Sequence, residues 1–284
     1  MHIVPTIPSP IRLQEYGVGI FVVALTKSAL KKVLKKNFIR VNDVIATSAT
    51  IICGGERISL CIPDKVNLNN RLVFQLTVLF EDEHLAVIHK PAGILVSGNS
   101  FKTIANALAQ NIKRSTLPDA TTPQPVHRLD YATTGVLLVG KTSSSIRVLN
   151  KMFEDKKIEK IYYAITIGEM KDGGKITSEI DGKKSQSNYK VLESVFSKRF
   201  GKLNLVKLKP QTGRRHQLRK HLLSIVNPIL GDKDYGIEHL ILNGKGLYLH
   251  AYSLDFIHPF THKKVCFKDE FTQRFEKIFT ATIE

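Results

Sequence analysis

The sequence is organised around the stretch PVHRLDYATTGVLLVG, residues 125–140. Residues 136–139 are a continuous apolar run, and a strand that is apolar on both faces belongs in the middle of a covered sheet. Asp130 lies in the loop that leads into this strand, so we expect its carboxylate at the mouth of the sheet. Loops held by such a scaffold often carry function. The structural alternative is that Asp130 only stabilises a turn, which suits Asp and Gly.

Regular elements flank this stretch on both sides. Strands are predicted over residues 76–80, 85–88, 158–168, 191–196 and 203–208. Helices are predicted over residues 104–112, 142–156 and 214–226, where apolar residues recur three and four positions apart.

Residues 158–168 form the predicted strand that carries two adjacent tyrosines. Because side chains alternate along a strand, Tyr162 shares a face with Lys160, whereas Tyr163 points to the opposite face. One tyrosine can therefore face a cleft while its neighbour packs in the core. Two ordinary strand tyrosines are the alternative.

Cations are concentrated between residues 207 and 221. This stretch has no acidic residue, and it contains Lys207, Lys209, Arg214, Arg215, Arg219 and Lys220. On the predicted helix 214–226, Arg215 and Arg219 lie four residues apart and share a face. Cations at the start of a helix oppose the helix dipole, a cost that makes sense if an anion binds there. The anion could be a phosphate group, Asp130, or both.

The first 63 residues have the elements of a small domain. A helix is predicted over residues 28–36, with Leu30, Val33 and Leu34 on one face and lysines on the other. A short strand over residues 39–41 and a glycine-containing loop over residues 54–58 follow. Residues 64–75 are polar and are interpreted as a linker to the second domain, residues 76–284.

The overall charge points to a polyanionic partner. The chain has 284 residues and a formal net charge of +17, from 42 Lys and Arg against 25 Asp and Glu. Such an excess favours nucleic acid or an anionic membrane as the partner. A protein that is basic without such a partner is the alternative.

The sequence has no pattern typical of a metal site or a membrane span. Cys53, Cys61 and Cys266 lack a paired metal-binding spacing, so we predict reduced thiols and no metal. The longest apolar run, residues 17–25, is far shorter than the roughly 20 residues of a membrane helix. No signal peptide opens the chain, and we expect a cytoplasmic protein.

Several short motifs occur in the order typical of a known family. They are HKPAG at 89–93, HRLD at 127–130 with TG at 134–135, KIYYA at 160–164, TGRRHQLR at 212–219, and PILGD at 228–232 with YG at 235–236. In these motifs the chain resembles the RluA-type RNA pseudouridine synthases. Its first 63 residues resemble a small RNA-binding domain first described in a ribosomal protein of the small subunit, although Asn37 and Asp43 stand where that domain usually has glycine.

The resemblance implies an α+β fold with a mixed, mostly antiparallel catalytic sheet, preceded by a small α+β RNA-binding domain. It also implies the isomerisation of uridine to pseudouridine within RNA. The N-glycosidic bond breaks, the uracil turns, and a carbon–carbon bond forms to the same sugar. Neither redox chemistry nor a cofactor is needed for this reaction.

The same resemblance implies roles for individual residues. Asp130 is the essential carboxylate, and Tyr162 stacks on the uracil and can assist proton removal at its carbon. Arg219 is the cation that keeps Asp130 ionised, since a buried carboxylate otherwise favours its neutral form. The predicted substrate-binding residues are His127, Arg128, Leu218, Arg214 and Arg215. Arg128 is suited to fill the space that a flipped nucleotide leaves, and Leu218 is the apolar wall.

We therefore predict a monomeric RNA-modifying enzyme whose partner is RNA, with no membrane and no small-molecule cofactor. Large-subunit ribosomal RNA is the preferred target, because an added RNA-binding domain is common among family members that modify it. Transfer RNA is the alternative target. A non-catalytic ribosome-assembly factor and a hydrolase that uses Asp130 as a base are the remaining alternatives, and the hydrolase lacks a second acid paired with Asp130.

Overall fold

A computed structural model describes residues 1–24, 26–61, 72–242, 244–271 and 273–279. The chain forms two compact units, Met1–Arg71 and Leu72–Glu284. The predicted linker spans residues 64–75, and its residues 64–71 lie outside the described residues. No described helix is both long enough and apolar enough to cross a membrane.

The first unit is a small α+β structure made of short elements. Its strands are β1 (His2–Ile3), β2 (Ile11–Arg12), β3 (Ile39–Val41), β4 (Val44–Ile45), β5 (Ile51–Ile52) and β6 (Arg57–Leu60). Its helices are α1 (Leu13–Tyr16) and α2 (Lys27–Lys35), with a 3-10 turn at Val22–Ala24. Four strands form one sheet in the order β1-β6-β3-β4, and β2 pairs with β5.

Helix α2 confirms the helix predicted over residues 28–36. It begins after Thr26, whose hydroxyl accepts a hydrogen bond from the backbone N–H of Ala29 at 3.2 Å, as an N-cap residue does. Leu30 and Leu34 are buried in the core of this unit, whereas Lys31 and Lys35 are exposed. The helix therefore presents a basic face to solvent.

The two residues that replace glycine in this unit keep the backbone that glycine would adopt. Asn37 has a φ of 59° and Asp43 a φ of 66°, both in the left-handed region. Asn and Asp enter this region more easily than other side chains, because their short polar groups bond locally. The adjacent Asn42, with a φ of 48°, accepts a hydrogen bond from the backbone N–H of Arg57 at 2.9 Å. The departures from glycine are thus compatible with the same turns.

The second unit is dominated by one large sheet. Its described strands are β7 (Val78–Glu81), β8 (Leu85–Lys90), β9 (Ala120–Pro125), β10 (Thr134–Thr142), β11 (Glu159–Ile167), β12 (Gly173–Ile180), β13 (Lys183–Ser197), β14 (Gly201–Pro210), β15 (Leu249–Ile257) and β16 (Lys264–Lys268). The helices are α3 (Ile104–Asn111), α4 (Ser143–Glu154), α5 (Gln217–Ser224) and α6 (Gln273–Glu276), with a 3-10 turn at Glu238–Leu240. The main strand order is β12-β13-β14-β11-β15-β10-β8-β7, with β9 beside β10 and β16 beside β15.

The pairing confirms the predicted fold class. Strands β10 and β15 are parallel, and the other described pairs of this sheet are antiparallel. The result is an α+β fold with a mixed, mostly antiparallel sheet.

Strand β10 is the buried centre that residues 136–139 predicted. All nine of its residues are buried, and β8 and β15 flank it. Gly135, with a φ of 120°, lies so close to β15 that a Cβ would fall 2.1 Å from the carbonyl oxygen of Ala251. Only glycine allows this approach, and the approach sets the position of the loop that carries Asp130.

The predicted helix over residues 214–226 is shorter in the structure. Helix α5 begins at Gln217, because His216 has a left-handed backbone with φ 53° and ψ 27°. The side-chain oxygen of Gln217 accepts a hydrogen bond from the backbone N–H of Arg214 at 3.0 Å. Arg214 and Arg215 therefore lie in the loop before the helix, and the prediction that Arg215 and Arg219 share a helix face is wrong.

The sequence analysis did not predict β9, β12, β15 or β16. Strand β12 is an edge strand that begins with two glycines, and β9 contains two prolines. Glycine and proline weaken the local strand signal, so pairing with neighbouring strands determines these elements. The predictions for the other strands of the sheet agree with the structure to within a few residues, apart from the N-terminal half of β13.

Helix α5 ends in a strained turn. The N–H of Asn227 bonds to the carbonyl of Leu222 at 2.9 Å and that of Val226 to the carbonyl of Leu223 at 2.8 Å, which is a Schellman motif. Val226 occupies the position that usually holds glycine, with a φ of 62°. A β-branched residue is a genuine outlier there.

We predict that Val226→Gly stabilises the protein. The glycine removes the left-handed strain, a gain of about 1 kcal/mol, and the 74% exposed valine side chain contributes little burial. Urea unfolding of the full chain measures the change. Val226→Ala keeps a Cβ and should gain less, so equal gains in the two variants would contradict the strain explanation.

Candidate active site

One large cleft in the second unit brings most of the predicted site residues together. Its volume is about 960 Å³. Seven of the eight predicted residues line it, namely His127, Arg128, Asp130, Tyr162, Arg214, Arg215 and Leu218. They come from the loop between β9 and β10, from β11, and from the segment around the start of α5. Arg219 is not part of the cleft wall.

Asp130 lies in a tight loop at the start of β10. Its backbone carbonyl accepts a hydrogen bond from Thr133 N at 3.1 Å, and the carbonyl of Tyr131 accepts one from Gly93 N at 2.9 Å. The Asp130 side chain is 16% exposed, so the carboxylate faces the cleft from a largely buried position. This is the place at the mouth of the sheet that the sequence predicted.

Lys90, at the end of β8, binds this loop through backbone carbonyl groups. Its side chain is fully buried, and its Nζ donates to the carbonyl oxygens of Pro91 at 3.0 Å, Tyr131 at 3.3 Å and Thr133 at 2.8 Å. Burial lowers the pKa of Lys90 to about 8, whereas the negative charge of Asp130 acts to raise it. Lys90 therefore joins the end of β8 to the loop that carries Asp130.

Tyr162 lies at the cleft and Tyr163 lies in the core, as the alternation of side chains along the strand suggested. Tyr162 lines the cleft, and burial together with the nearby charge of Asp130 raises its pKa above the usual tyrosine value. Its hydroxyl therefore keeps its proton at neutral pH. Tyr163 is buried and packs edge-on against Tyr252, with ring centroids 5.0 Å apart.

His127 is held by the strand that follows it. Its Nε2 accepts a hydrogen bond from the backbone N–H of Leu138 at 2.9 Å, and its ring packs on Phe153 with centroids 4.6 Å apart. Burial lowers the pKa of His127 to about 3, so the imidazole is neutral. These contacts orient the start of the Asp130 loop, and they occupy the Nε2 of His127.

Arg219 does not form the ion pair predicted for it. Its guanidinium binds Asp232 through two hydrogen bonds of 2.7 and 2.6 Å and Asp234 through one of 2.7 Å, and it makes no ion pair with Asp130 in the described part of the chain. The prediction that Arg219 is the cation directly beside Asp130 is therefore wrong. A planar guanidinium matches a carboxylate fork, and Asp232, at the end of residues 228–232, supplies that carboxylate.

Two arginines at the cleft have exposed side chains. Arg128 and Arg215 are exposed, and neither side chain forms a hydrogen bond or ion pair with another described residue. Arg214 is also exposed, and its Nε reaches the backbone carbonyl of Lys184 at 3.4 Å. Such cations are suited to phosphate groups. No group of three or more His, Cys, Asp or Glu residues in the described ranges is arranged to hold a metal ion.

The structure adds three residues that the sequence analysis did not assign to the site. Lys160 lines the cleft, and burial lowers its pKa. Lys90 supports the loop, and the Nε2 of His216 lies 3.9 Å from the Asp130 carboxylate. All three belong to the quoted motifs, but only the fold shows that Lys160 lines the cleft and that Lys90 and His216 lie near Asp130.

The comparisons with known proteins point to a single enzyme family. The sequence model described as RNA pseudouridylate synthase matches residues 84–224. An RNA pseudouridine synthase of Aquifex aeolicus is 32% identical, over 90% of this chain and 89% of that protein. Ribosomal large subunit pseudouridine synthase C of Vibrio vulnificus is 30% identical, over 89% of this chain and 87% of that protein.

One further relative and one solved structure extend the likeness. Ribosomal large subunit pseudouridine synthase D of Buchnera aphidicola is 32% identical, over 84% of each chain. The structure of human RNA Pseudouridylate Synthase Domain Containing 4 superimposes with a TM-score of 0.57 at 25% identity, over 70% of this chain and 90% of that one.

We predict that the two carboxylates bound to Arg219 differ in their effect on stability. Asp232 is fully buried, whereas the side chain of Asp234 is 63% exposed. Asp232→Asn leaves a buried guanidinium poorly neutralised and should cost about 3 kcal/mol or more, while Asp234→Asn should cost less than about 1 kcal/mol. Urea unfolding of both variants gives the comparison. Equal losses in the free energy of unfolding would show that the exposed pair with Asp234 stabilises the protein as much as the buried pair with Asp232, which would contradict the prediction.

Proposed function

This chain belongs to the RNA pseudouridylate synthase family and is an isomerase, and we propose that it converts specific uridines of large-subunit ribosomal RNA to pseudouridine. The proposal rests on relatives from Vibrio vulnificus and Buchnera aphidicola, which are named ribosomal large subunit pseudouridine synthases and match more than four-fifths of the chain. Transfer RNA has no comparable support among these relatives. The family match also leaves no support for a non-catalytic assembly factor.

The reaction rearranges bonds within one nucleotide. The bond between N1 of uracil and C1′ of ribose breaks, the uracil turns within the cleft, and its C5 bonds to C1′. The proton on C5 is lost and N1 gains one, so the atoms balance without an oxidant or water. The work of the protein is to hold the base, ionise one carboxylate and move protons.

We assign the central role to Asp130. Whether the carboxylate attacks C1′ or removes a proton from the sugar, it must be ionised. Support comes from its position in the cleft wall and from the buried ammonium group of Lys90 close by. In a buried site an adjacent cation lowers the cost of the charged carboxylate.

We assign Tyr162 and Leu218 to the two walls around the uracil. A base that has left its own stack is stabilised by an aromatic plane, and Tyr162 offers one in the cleft. Because its pKa is raised, the phenol is neutral at pH 7 and can stack on the base and donate a hydrogen bond. Leu218, 7% exposed, supplies an apolar surface.

We assign the exposed arginines to the RNA around the target. Arg128 precedes Asp130 by two residues and is exposed at the cleft, which suits a residue that replaces the flipped nucleotide in its stack. Arg214 and Arg215 precede α5 and suit phosphate contacts. His127 is better explained as a support for the loop than as a contact to RNA, because its Nε2 is bonded to Leu138 N.

We propose that residues 1–63 form an RNA-binding domain and residues 76–284 the catalytic domain. The exposed lysines of α2 support an RNA-binding face in the first, and the cleft lies within the second. The cytoplasmic location, the monomeric state and the absence of a cofactor stay predictions.

We predict that Asp130→Asn abolishes pseudouridine formation while the Kd for RNA changes by less than a few fold. The amide keeps the size of the carboxylate but cannot serve as nucleophile or base. Release of tritium from RNA labelled at uracil C5 measures turnover, and filter binding measures affinity. Asp172→Asn, at an exposed position of the same unit, is the control. Turnover by Asp130→Asn near the wild-type rate would contradict the role of Asp130.

We predict that cells lacking this gene lose pseudouridine at discrete positions of large-subunit ribosomal RNA. Position-resolved mapping by carbodiimide labelling and reverse-transcriptase stops compares these cells with the parent. Loss only in transfer RNA would keep the chemistry and overturn the proposed target. Complementation with Asp130→Asn should fail to restore the lost positions.

A further inference from the structure

His216 is the one residue at the start of α5 whose backbone and side chain are both unusual. It is a non-glycine residue with a left-handed backbone, a conformation that persists where the surrounding structure requires it and is frequent at functional sites. Its side chain is 17% exposed and lines the cleft. The backbone turn directs the imidazole toward the Asp130 loop instead of along the helix.

The two ring nitrogens of His216 face two different partners. Nδ1 lies 2.9 Å from the hydroxyl of Tyr235, and Nε2 lies 3.9 Å from Oδ1 of Asp130. If the Tyr235 hydroxyl donates to Nδ1, the ring proton is on Nε2 and points at the carboxylate. The separation of 3.9 Å exceeds a hydrogen bond, but such contacts are often long before substrate binds and tighten in the complex.

Tyr235 is itself held in place by the buried ion pair. The guanidinium of Arg219 lies over its ring at 4.7 Å, and its backbone N–H donates to Oδ1 of Asp232 at 3.0 Å. The tyrosine ring also contacts the His216 ring edge-on, with centroids 5.6 Å apart and an interplanar angle of 80°. A continuous set of contacts therefore runs from Asp232 through Tyr235 and His216 to Asp130.

We propose that His216, held by Tyr235, is a positioning residue that orients the Asp130 carboxylate through Nε2–H and leaves the second carboxylate oxygen free for the sugar. This deepens the proposed function and rests on it. The role requires the neutral imidazole. A protonated ring would pair with Asp130 as a full cation and hold the carboxylate away from the sugar.

Burial favours the neutral form of His216. Burial lowers its pKa, Asp130 and Asp234 act to raise it, and Arg219 and Arg215 act to lower it, with the net direction downward. Tyr235 faces the ring from the segment after residue 232. Because the folded pKa lies below the ordinary histidine value, the ring is neutral at pH 7 and becomes charged only at more acidic pH.

The first test is a double-mutant cycle with variants that preserve the backbone. Asn tolerates the left-handed region, so His216→Asn removes the imidazole and keeps the turn. Tyr235→Phe removes only the hydroxyl, and its ring stays under Arg219. With RNA transcribed in vitro and tritiated at uracil C5, His216→Asn should lower the single-turnover rate by roughly 100-fold, as misplacement of a reacting group does, with RNA affinity little changed.

The cycle also separates positioning from a merely structural role. Tyr235→Phe should lower the rate less than His216→Asn, and the double variant should be no slower than His216→Asn alone, because the two residues act through one contact. If the rate losses of the two single variants multiplied in the double variant, the inference would be overturned. A wild-type rate in His216→Asn would overturn it as well.

A second measurement is independent of turnover and so distinguishes this inference from the proposed function. NMR titration of the His216 ring protons in the full chain gives its pKa. Asp130→Asn removes the facing negative charge and should lower the pKa of His216, whereas Asp172→Asn should leave it unchanged. If wild-type protein modified no RNA but this shift occurred, the coupling would stand and the proposed function would fail. An unchanged pKa in Asp130→Asn would overturn the coupling regardless of activity.

Discussion

The buried ammonium group of Lys90 is the interaction on which the site depends. A charge removed from water is costly unless polar groups replace its solvation, and three backbone carbonyls do so here, from Pro91, Tyr131 and Thr133. Two of these carbonyls belong to the loop that carries Asp130. The end of β8 and the loop before β10 are thereby joined around one cation, whose charge interacts with the carboxylate of Asp130.

The two buried cations of the site have different partners for chemical reasons. Lysine carries rotatable donors on a compact charge, which suits three carbonyls in different directions, whereas arginine presents a planar fork that matches a carboxylate. Arg219 accordingly binds Asp232 and orders the segment that carries Tyr235. Its influence on Asp130 is indirect, through Tyr235 and His216, and the cation under the Asp130 loop is Lys90. A motif can therefore identify a residue correctly as part of a site and still suggest the wrong partner for it.

Family membership and the cleft support different parts of the functional conclusion. Membership establishes the isomerase chemistry, and the names of the relatives support the large ribosomal subunit as the target. The cleft shows how the residues are placed: a neutral Tyr162, a mostly buried Asp130 and exposed arginines around them. The first unit keeps its turns although Asn37 and Asp43 replace glycine, because both residues adopt the left-handed backbone.

The sequence alone determined the features that depend on local pattern. The apolar run 136–139 predicted the buried central strand, periodicity predicted α2, α4 and β11, and the motifs identified the family and placed Asp130 and Tyr162 at the site. Tertiary structure alone decided which charges meet. The left-handed backbone of His216 could not be read from the local pattern. The pairing of Arg219 with Asp232 and the contacts of Lys90 with residues 131 and 133 join different segments of the chain. Spacing along a chain carries no information about such distances, because side chains find their partners only after the sheet has brought the segments together.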